Sequence, residues 1–361
     1  MMWRTEDGST GRLIQLSMGY FIFYIITGIS VKYFLSSGMS DMGYLVYSTG
    51  SSTLFATGVV LALRWFKLET VRPVTWMGIT FPSELLYIIP SGVMTAVVIP
   101  TTTLLYSFKG ISVMVAMVIM RGSVIIIGRI VDAIQIRQGI LTKKVYLEEN
   151  LGVLFAIIAV SVKVLSGGNS GGANPFTSLP VVIIFSSYIV AYAIRIYIMN
   201  YYKNTRPKYS KVDNNKAFFG IEQIASTTTL WIVTGVLLLI VTQSGWSGPR
   251  ITPFANAFSQ PELNWGSAAF WGTAFGVVAF FSVFLFMFKG RTATFAGLVN
   301  RLTSLIAGTA STLLFALFWS GKWPKMVDWI SLLFILIAVG FIAVAEKKRS
   351  AELALEKSNR R

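Results

Sequence analysis

The sequence predicts an all-α integral membrane protein, with ten transmembrane helices arranged as two inverted five-helix repeats. Three observations carry that expectation. Apolar stretches of about 18 residues or more, long enough to cross the hydrocarbon core, recur along the whole chain. Lys and Arg collect on alternate loops. One 25-residue stretch occurs twice, half a chain apart. Composition agrees: of 361 residues, 54% are hydrophobic and 13% charged, and the mean hydropathy is +0.65. A soluble domain of this length does not show such values.

The duplication is read from the residues themselves. Leu104 to Gly128 is LLYSFKGISVMVAMVIMRGSVIIIG, and Phe284 to Gly308 is FLFMFKGRTATFAGLVNRLTSLIAG. Phe108-Lys109-Gly110 falls on Phe288-Lys289-Gly290 without a gap, Arg121 falls on Arg301 and Gly128 on Gly308. Each copy is an apolar segment, a short break, and a second apolar segment with one arginine inside it. A fixed half-chain period marks an internal duplication.

In chain order the predicted spans are 12–35, 43–65, 83–106, 111–135, 149–166, 178–200, 218–242, 265–288, 292–318 and 325–345. An even number of spans puts both termini on one side. That side holds Arg4 and Arg12, the basic residues near 64–72, 137–144, 203–216 and 289–291, and those of the tail. Together they make 21 Lys and Arg, against four on the other side: Lys109, Arg250, Lys322 and Lys325. Basic residues stay in the cytoplasm, so both termini are expected there. The same rule accounts for the formal net charge of +16 without nucleic acid as a partner.

The chain then divides into a first repeat at 1–166, a far-side linker at 167–177, a second repeat at 178–345 and a charged cytoplasmic tail at 346–361. Residues 1–11 are short and polar, unlike a cleavable signal. The linker, rich in Gly, Ser and Asn, lies where a duplicated chain would be joined. The longest far-side loop, 243–264, reads as a surface loop or as a lid over a pathway. The tail reads as a short charged helix or a disordered end near an anionic leaflet. Five spans per half is an odd number, so the second repeat enters from the opposite side. Inverted repeats with a midplane site are the architecture of many secondary transporters.

There is no Cys and no His. That excludes disulfides, thiolate chemistry and histidine metal sites or proton relays. A membrane-embedded enzyme would need one of these or a deep carboxylate pair. The sequence therefore points away from catalysis, and no catalytic residue, metal or cofactor is assigned.

Charges inside spans are costly unless paired or facing water. Lys32, Lys163 and Arg195 lie near span ends and are expected to snorkel. Arg129 and Asp132, three apart on one helix, are expected to form an ion pair. Glu84 and Glu222 lie near the cytoplasmic ends of spans three and seven. Arg121 and Arg301 lie deeper, without a carboxylate at the same depth.

Two readings of those arginines stand. Both could bind an anionic substrate, since the planar guanidinium pairs bidentately with phosphate or carboxylate and keeps its proton. Alternatively each could satisfy carbonyls at a helix break, or reach Glu222 or Glu84. Asn300, Thr303, Tyr192 and Gln223 are candidate neighbours in the same site, and helix–helix hydrogen bonding is the alternative role for each. Glu222 and Glu84 are candidate coupling groups if transport is proton-driven.

Taken together, these residues resemble the drug/metabolite transporter superfamily. Met120-Arg-Gly-Ser-Val-Ile-Ile-Ile is similar to the solute-carrier 35 and chloroquine-resistance-transporter branch, and Gly297-Leu-Val-Asn-Arg-Leu-Thr-Ser-Leu-Ile to triose-phosphate and nucleotide-sugar transporters. The resemblance implies a secondary transporter of a small organic anion, with Arg301 as the anion contact and Arg121 its counterpart. The FYNN and GALNK patterns of GDP-mannose carriers and the Lys-Arg pair of phosphate translocators are absent, so substrate identity does not carry over. The runner-up function is a proton-coupled exporter of drugs or amino acids. Compact loops without a glycosylation sequon point to a bacterial inner membrane, with an organellar membrane as the alternative.

Overall fold

The computed structural model describes residues 10–70, 73–108, 111–141, 145–166, 178–205, 215–286, 293–319 and 321–359. Lys109, Gly110, the 288–290 copy of the Phe-Lys-Gly break, the 167–177 linker and the Lys163 side chain lie outside what is described. Among the described residues the chain forms eleven helices and one two-stranded hairpin.

The helices are α1 (Thr10–Ser36), α2 (Asp41–Ala62), α3 (Leu85–Ser107), α4 (Val113–Arg137), α5 (Leu147–Ser166) and α6 (Leu179–Thr205). They continue with α7 (Asn215–Ser244), α8 (Ile251–Ser259), α9 (Trp265–Phe286), α10 (Ala293–Phe318) and α11 (Met326–Asn359). Among the described residues, stretches of eight of them (α1–α4, α6, α7, α10 and α11) are long and apolar enough to cross a membrane. The protein is an integral multi-pass membrane protein.

Serines start two of the helices at their N-caps. Ser40 accepts from the Gly43 amide at the start of α2, and Ser112 accepts from the Val115 amide at the start of α4. Each satisfies one orphan donor of a first turn. In α3, which carries Pro90 and Pro100, the hydroxyls of Thr101, Thr102 and Thr103 return to carbonyls of Val97, Val98 and Ile99. A polar side chain in an apolar helix is satisfied this way without water.

The innermost helix is α4, where every residue from Val113 to Ile125 is buried. It packs on α5, α6, α10 and α11. Around it, α1 runs along α9 and α10, α2 along α7 and α9, α3 along α6 and α7, and α5 along α11. The α4–α10 crossing is tight. A Cβ on Gly308 would lie 2.6 Å from Met117 Cγ, and Thr312 Oγ1 accepts from the Met114 amide at 2.9 Å. Any side chain at 308 would force Met117 to move.

The 243–264 loop is more ordered than its sequence reading, and the tail takes the helical one of its two expected forms. The 243–264 loop contains α8, and Glu262 beyond it is clamped to the start of α2. Its carboxylate accepts from the Ser40 amide at 2.9 Å and from the Ser40 hydroxyl, while its own amide donates to Tyr47 Oη at 3.0 Å. A carboxylate at a helix N-terminus also meets the positive end of the dipole. The tail is helical and continuous with α11. Lys348 pairs with Glu148 and Arg349 with Glu149, which docks it on the first turn of α5.

Candidate functional site

Two tyrosines one turn apart on α1, Tyr20 and Tyr24, meet edge to face with ring centroids 5.2 Å apart. Their spacing of four residues puts both phenols on the same face of α1, toward α4. There Arg121 donates from Nη2 to both phenol oxygens, at 3.3 Å each. Its Cζ lies 5.9 Å from the Tyr24 ring centroid, within cation–π range.

The polarity of the surrounding network follows from the donors. A phenol has one proton, and each of these accepts from Arg121, so each passes its own proton outward. Tyr24 Oη lies 2.9 Å from Tyr106 Oη on α3, and Tyr106 donates in turn to Met117 Sδ at 3.2 Å. Tyr20 faces Asn300 Oδ1 of α10 at 3.5 Å, and Asn300 Nδ2 donates to Ser282 Oγ of α9 at 2.9 Å. Five helices thus converge on Arg121. Its Nε, though buried, has no hydrogen-bond partner among the described residues.

Arg301 sits one residue on from Asn300 and reaches toward α4, where its Nη2 is 3.6 Å from the place a Cβ on Gly128 would take. Its guanidinium makes no hydrogen bond among the described residues, and its Nε is buried and unpartnered. The phenols of Tyr188 and Tyr192 on α6, rings 5.3 Å apart, are electrostatic neighbours of both arginines. The two guanidiniums also sense each other, and Asp132 of α4 is within electrostatic reach of Arg301. The structure therefore brings Arg121, Arg301, Asn300 and Tyr192 into one region. Buried donors without partners are rare enough to call for an explanation.

The other candidates lie elsewhere. Thr303 is two residues from Arg301, about 200° round the helix, on another face of α10. Gln223 donates to Thr227 Oγ1 at 3.2 Å, and Thr227 meets Thr57 of α2 at 2.8 Å, so this pair stitches α7 to α2. Glu84 is buried at the start of α3, where its carbonyl accepts from the amides of Tyr87 and Ile88.

Glu222 belongs to a second polar cluster. Arg195 donates to its two oxygens from Nε at 2.9 Å and Nη2 at 3.0 Å, while Ser91 at 2.6 Å and Thr95 at 3.2 Å donate to Oε1. This corrects the expectation that Arg195 snorkels: the guanidinium turns inward because a buried carboxylate one helix away offers it two acceptors. It also removes Glu222 as a partner for Arg121 or Arg301. Lys32 likewise turns inward, to the Ile111 carbonyl at 2.7 Å. Arg129 bonds Asn150 of α5 at 3.1 Å in place of the expected pair with Asp132, because α5 lies against that face of α4.

Sequence reasoning missed Tyr20, Tyr24, Tyr106 and Ser282. A signal existed for two of them. Tyr20 and Tyr24 lie four apart in α1, as Tyr188 and Tyr192 do in α6, at nearly the same depth from each helix start. No protein-family model matches the chain, and no curated protein matches it.

Proposed function

We propose that the protein is a secondary transporter of a small organic anion, working by alternating access, with Arg121 and Arg301 as paired anion contacts. The observation that carries this reading is the unused donor capacity of two neighbouring arginines, Arg121 buried and Arg301 partly covered, each with a buried, unpartnered Nε. Phosphate or carboxylate oxygens would fill those donors and neutralise the local charge. The phenols around them form a wall that tolerates an organic body next to the anionic group.

The ten-span, inverted-repeat reading draws support from packing. Pair α1, α2, α3, α4 and α5 with α6, α7, α9, α10 and α11. Then α1 on α9 becomes α6 on α3, α2 on α9 becomes α7 on α3, and α1 on α10 becomes α6 on α4. The contacts α2–α7, α4–α10 and α5–α11 map onto themselves. The paired tyrosines of α1 and α6 obey the same exchange. On this reading the termini are cytoplasmic, the membrane is a bacterial inner membrane, and the chain is akin to the drug/metabolite transporters. The proton-coupled exporter has less support, because four hydrogen bonds, two of them from Arg195, already occupy the Glu222 carboxyl oxygens.

The test is counterflow in proteoliposomes preloaded with sugar phosphates, nucleotide sugars or dicarboxylates. Uptake of labelled anion driven by unlabelled anion inside, and lost in Arg301→Gln, is the expected result. Uptake that instead needs a pH gradient and survives Arg301→Gln would favour the exporter.

A further inference from the structure

Between α2 and α3 the chain makes the strands β1 (Pro73–Trp76) and β2 (Ile79–Pro82). They pair antiparallel, Val74 opposite Phe81, Thr75 opposite Thr80 and Trp76 opposite Ile79. Met77 and Gly78 close the turn with φ of 49° and 79°. Positive φ at both central positions is the geometry whose twist matches paired strands.

Opposed residues share a face, and successive residues alternate. One face therefore carries Val74, Trp76, Ile79 and Phe81. The other carries Thr75 and Thr80, whose hydroxyls bond at 2.9 Å. The hairpin is amphipathic, yet its apolar face, half-covered at Val74 and Phe81, is open toward the tip. Trp76 and Ile79 are 66% and 68% exposed, and Met77 at the tip is 84% exposed. In water such a surface would invite aggregation.

We propose that this face lies on the bilayer, as an interfacial anchor that sets Trp76, Met77 and Ile79 at the headgroup–acyl boundary of an anionic leaflet. Tethering places it there. The hairpin hangs between the end of α2 and the start of α3, both of membrane-crossing length, and β2 packs against α3 three residues before that helix begins. Exposed apolar residues precede and follow it in the chain, Leu61 and Leu63 at the end of α2 and Leu86 and Ile89 at the start of α3, at the ends of helices long enough to cross the bilayer. Arg64 and Lys67, exposed between α2 and β1, add the charge that anionic headgroups attract. Tryptophan favours this depth, and the strand ladder satisfies much of the backbone hydrogen bonding without water.

The chain has no cysteine, so single-cysteine variants need no further engineering. Ile79→Cys and Thr80→Cys, adjacent residues on opposite faces, would each carry a nitroxide in phosphatidylcholine–phosphatidylglycerol vesicles. Collision with oxygen against a water-soluble nickel chelate reads the depth. The proposal expects the Ile79 label to favour oxygen several-fold more than the Thr80 label, and to rise toward water when phosphatidylglycerol is left out. Two labels equally open to nickel would overturn it, as the face would then lie in water. So would an Ile79 label immobilised and closed to both reagents, since protein would then cover the face. A depth indifferent to phosphatidylglycerol would overturn the anionic-leaflet assignment.

Discussion

A lone guanidinium inside an apolar helix costs about 3 kcal/mol on insertion scales unless its donors are met. Around Arg121 phenols meet part of that need; around Arg301 nothing among the described residues bonds the guanidinium. The two positions should therefore respond differently to substitution. Tyr24→Phe keeps the ring but removes an acceptor of Arg121, and is expected to lower stability by about 1–3 kcal/mol in unfolding measurements. Arg301→Gln removes a partly covered charge whose Nε is unpartnered, so stability should hold within about 1 kcal/mol, while anion affinity falls about tenfold to a hundredfold. Glu222→Gln leaves the largely covered Arg195 without its charge partner and should cost about 3 kcal/mol, which combining it with Arg195→Met should largely restore. The arginines were legible in the sequence because a charge in an apolar run has few explanations. Tyr20, Tyr24 and Tyr106 were not, because a tyrosine sits comfortably in an apolar helix whether or not its hydroxyl has work to do. Arg195 misled for a related reason: its partner Glu222 lies on another helix, and proximity across helices leaves no mark in local spacing.

At the scale of elements, the α4–α10 crossing depends on Gly308. Gly308→Leu would drive a side chain into Met117 and is expected to destabilise by about 1–3 kcal/mol, with Met117→Ala relieving most of the loss in the same unfolding assay. The tail of α11 is held differently, by charge pairs, Lys348–Glu148 at the surface and Arg349–Glu149 largely covered. Lys348 holds the Glu148 carboxyl below the usual range. A depressed folded pKa gives docking strength that is present above the unfolded pKa and lost as pH falls through the folded one. Acidification below the ordinary glutamate range should therefore loosen the tail, seen as faster motion of a spin label at Ala351→Cys, and Lys348→Ala should remove that pH dependence. Helix positions were readable within a few residues because hydropathy changes sharply at span ends: 111–135 became Val113–Arg137, and 178–200 became Leu179–Thr205. Where polarity changed but the helix did not, as past residue 345 in α11, the sequence signal stopped short. The β1–β2 hairpin gave no signal because its turn is Met77-Gly78, where Asn-Gly or Asp-Gly would have marked it.

For the whole molecule, membrane class came from composition, and sidedness remains a consequence of where Lys and Arg fall. It is directly measurable. A membrane-impermeant maleimide should label Ser259→Cys, the last residue of α8, in intact cells, and should label Ala351→Cys, on the tail, only after lysis. Labelling of both from outside would place the tail and α8 on one face and break the inverted-repeat reading. Packing of α1–α5 against the later helices exchanges under that reading, a relation between distant elements that hydropathy alone does not contain.

The central claim is that Arg121 and Arg301 together bind an anion, and thermal unfolding of the purified protein tests it most directly. Ligand that binds the native state raises the midpoint by mass action. Wild type and Arg301→Gln would be titrated with sugar phosphates, nucleotide sugars, dicarboxylates, neutral amino acids and organic cations. The account predicts that anions alone raise the wild-type midpoint and that Arg301→Gln, folded and no less stable, loses the rise. Stabilisation by cations or neutral amino acids, or an anion shift unchanged in Arg301→Gln, would contradict it.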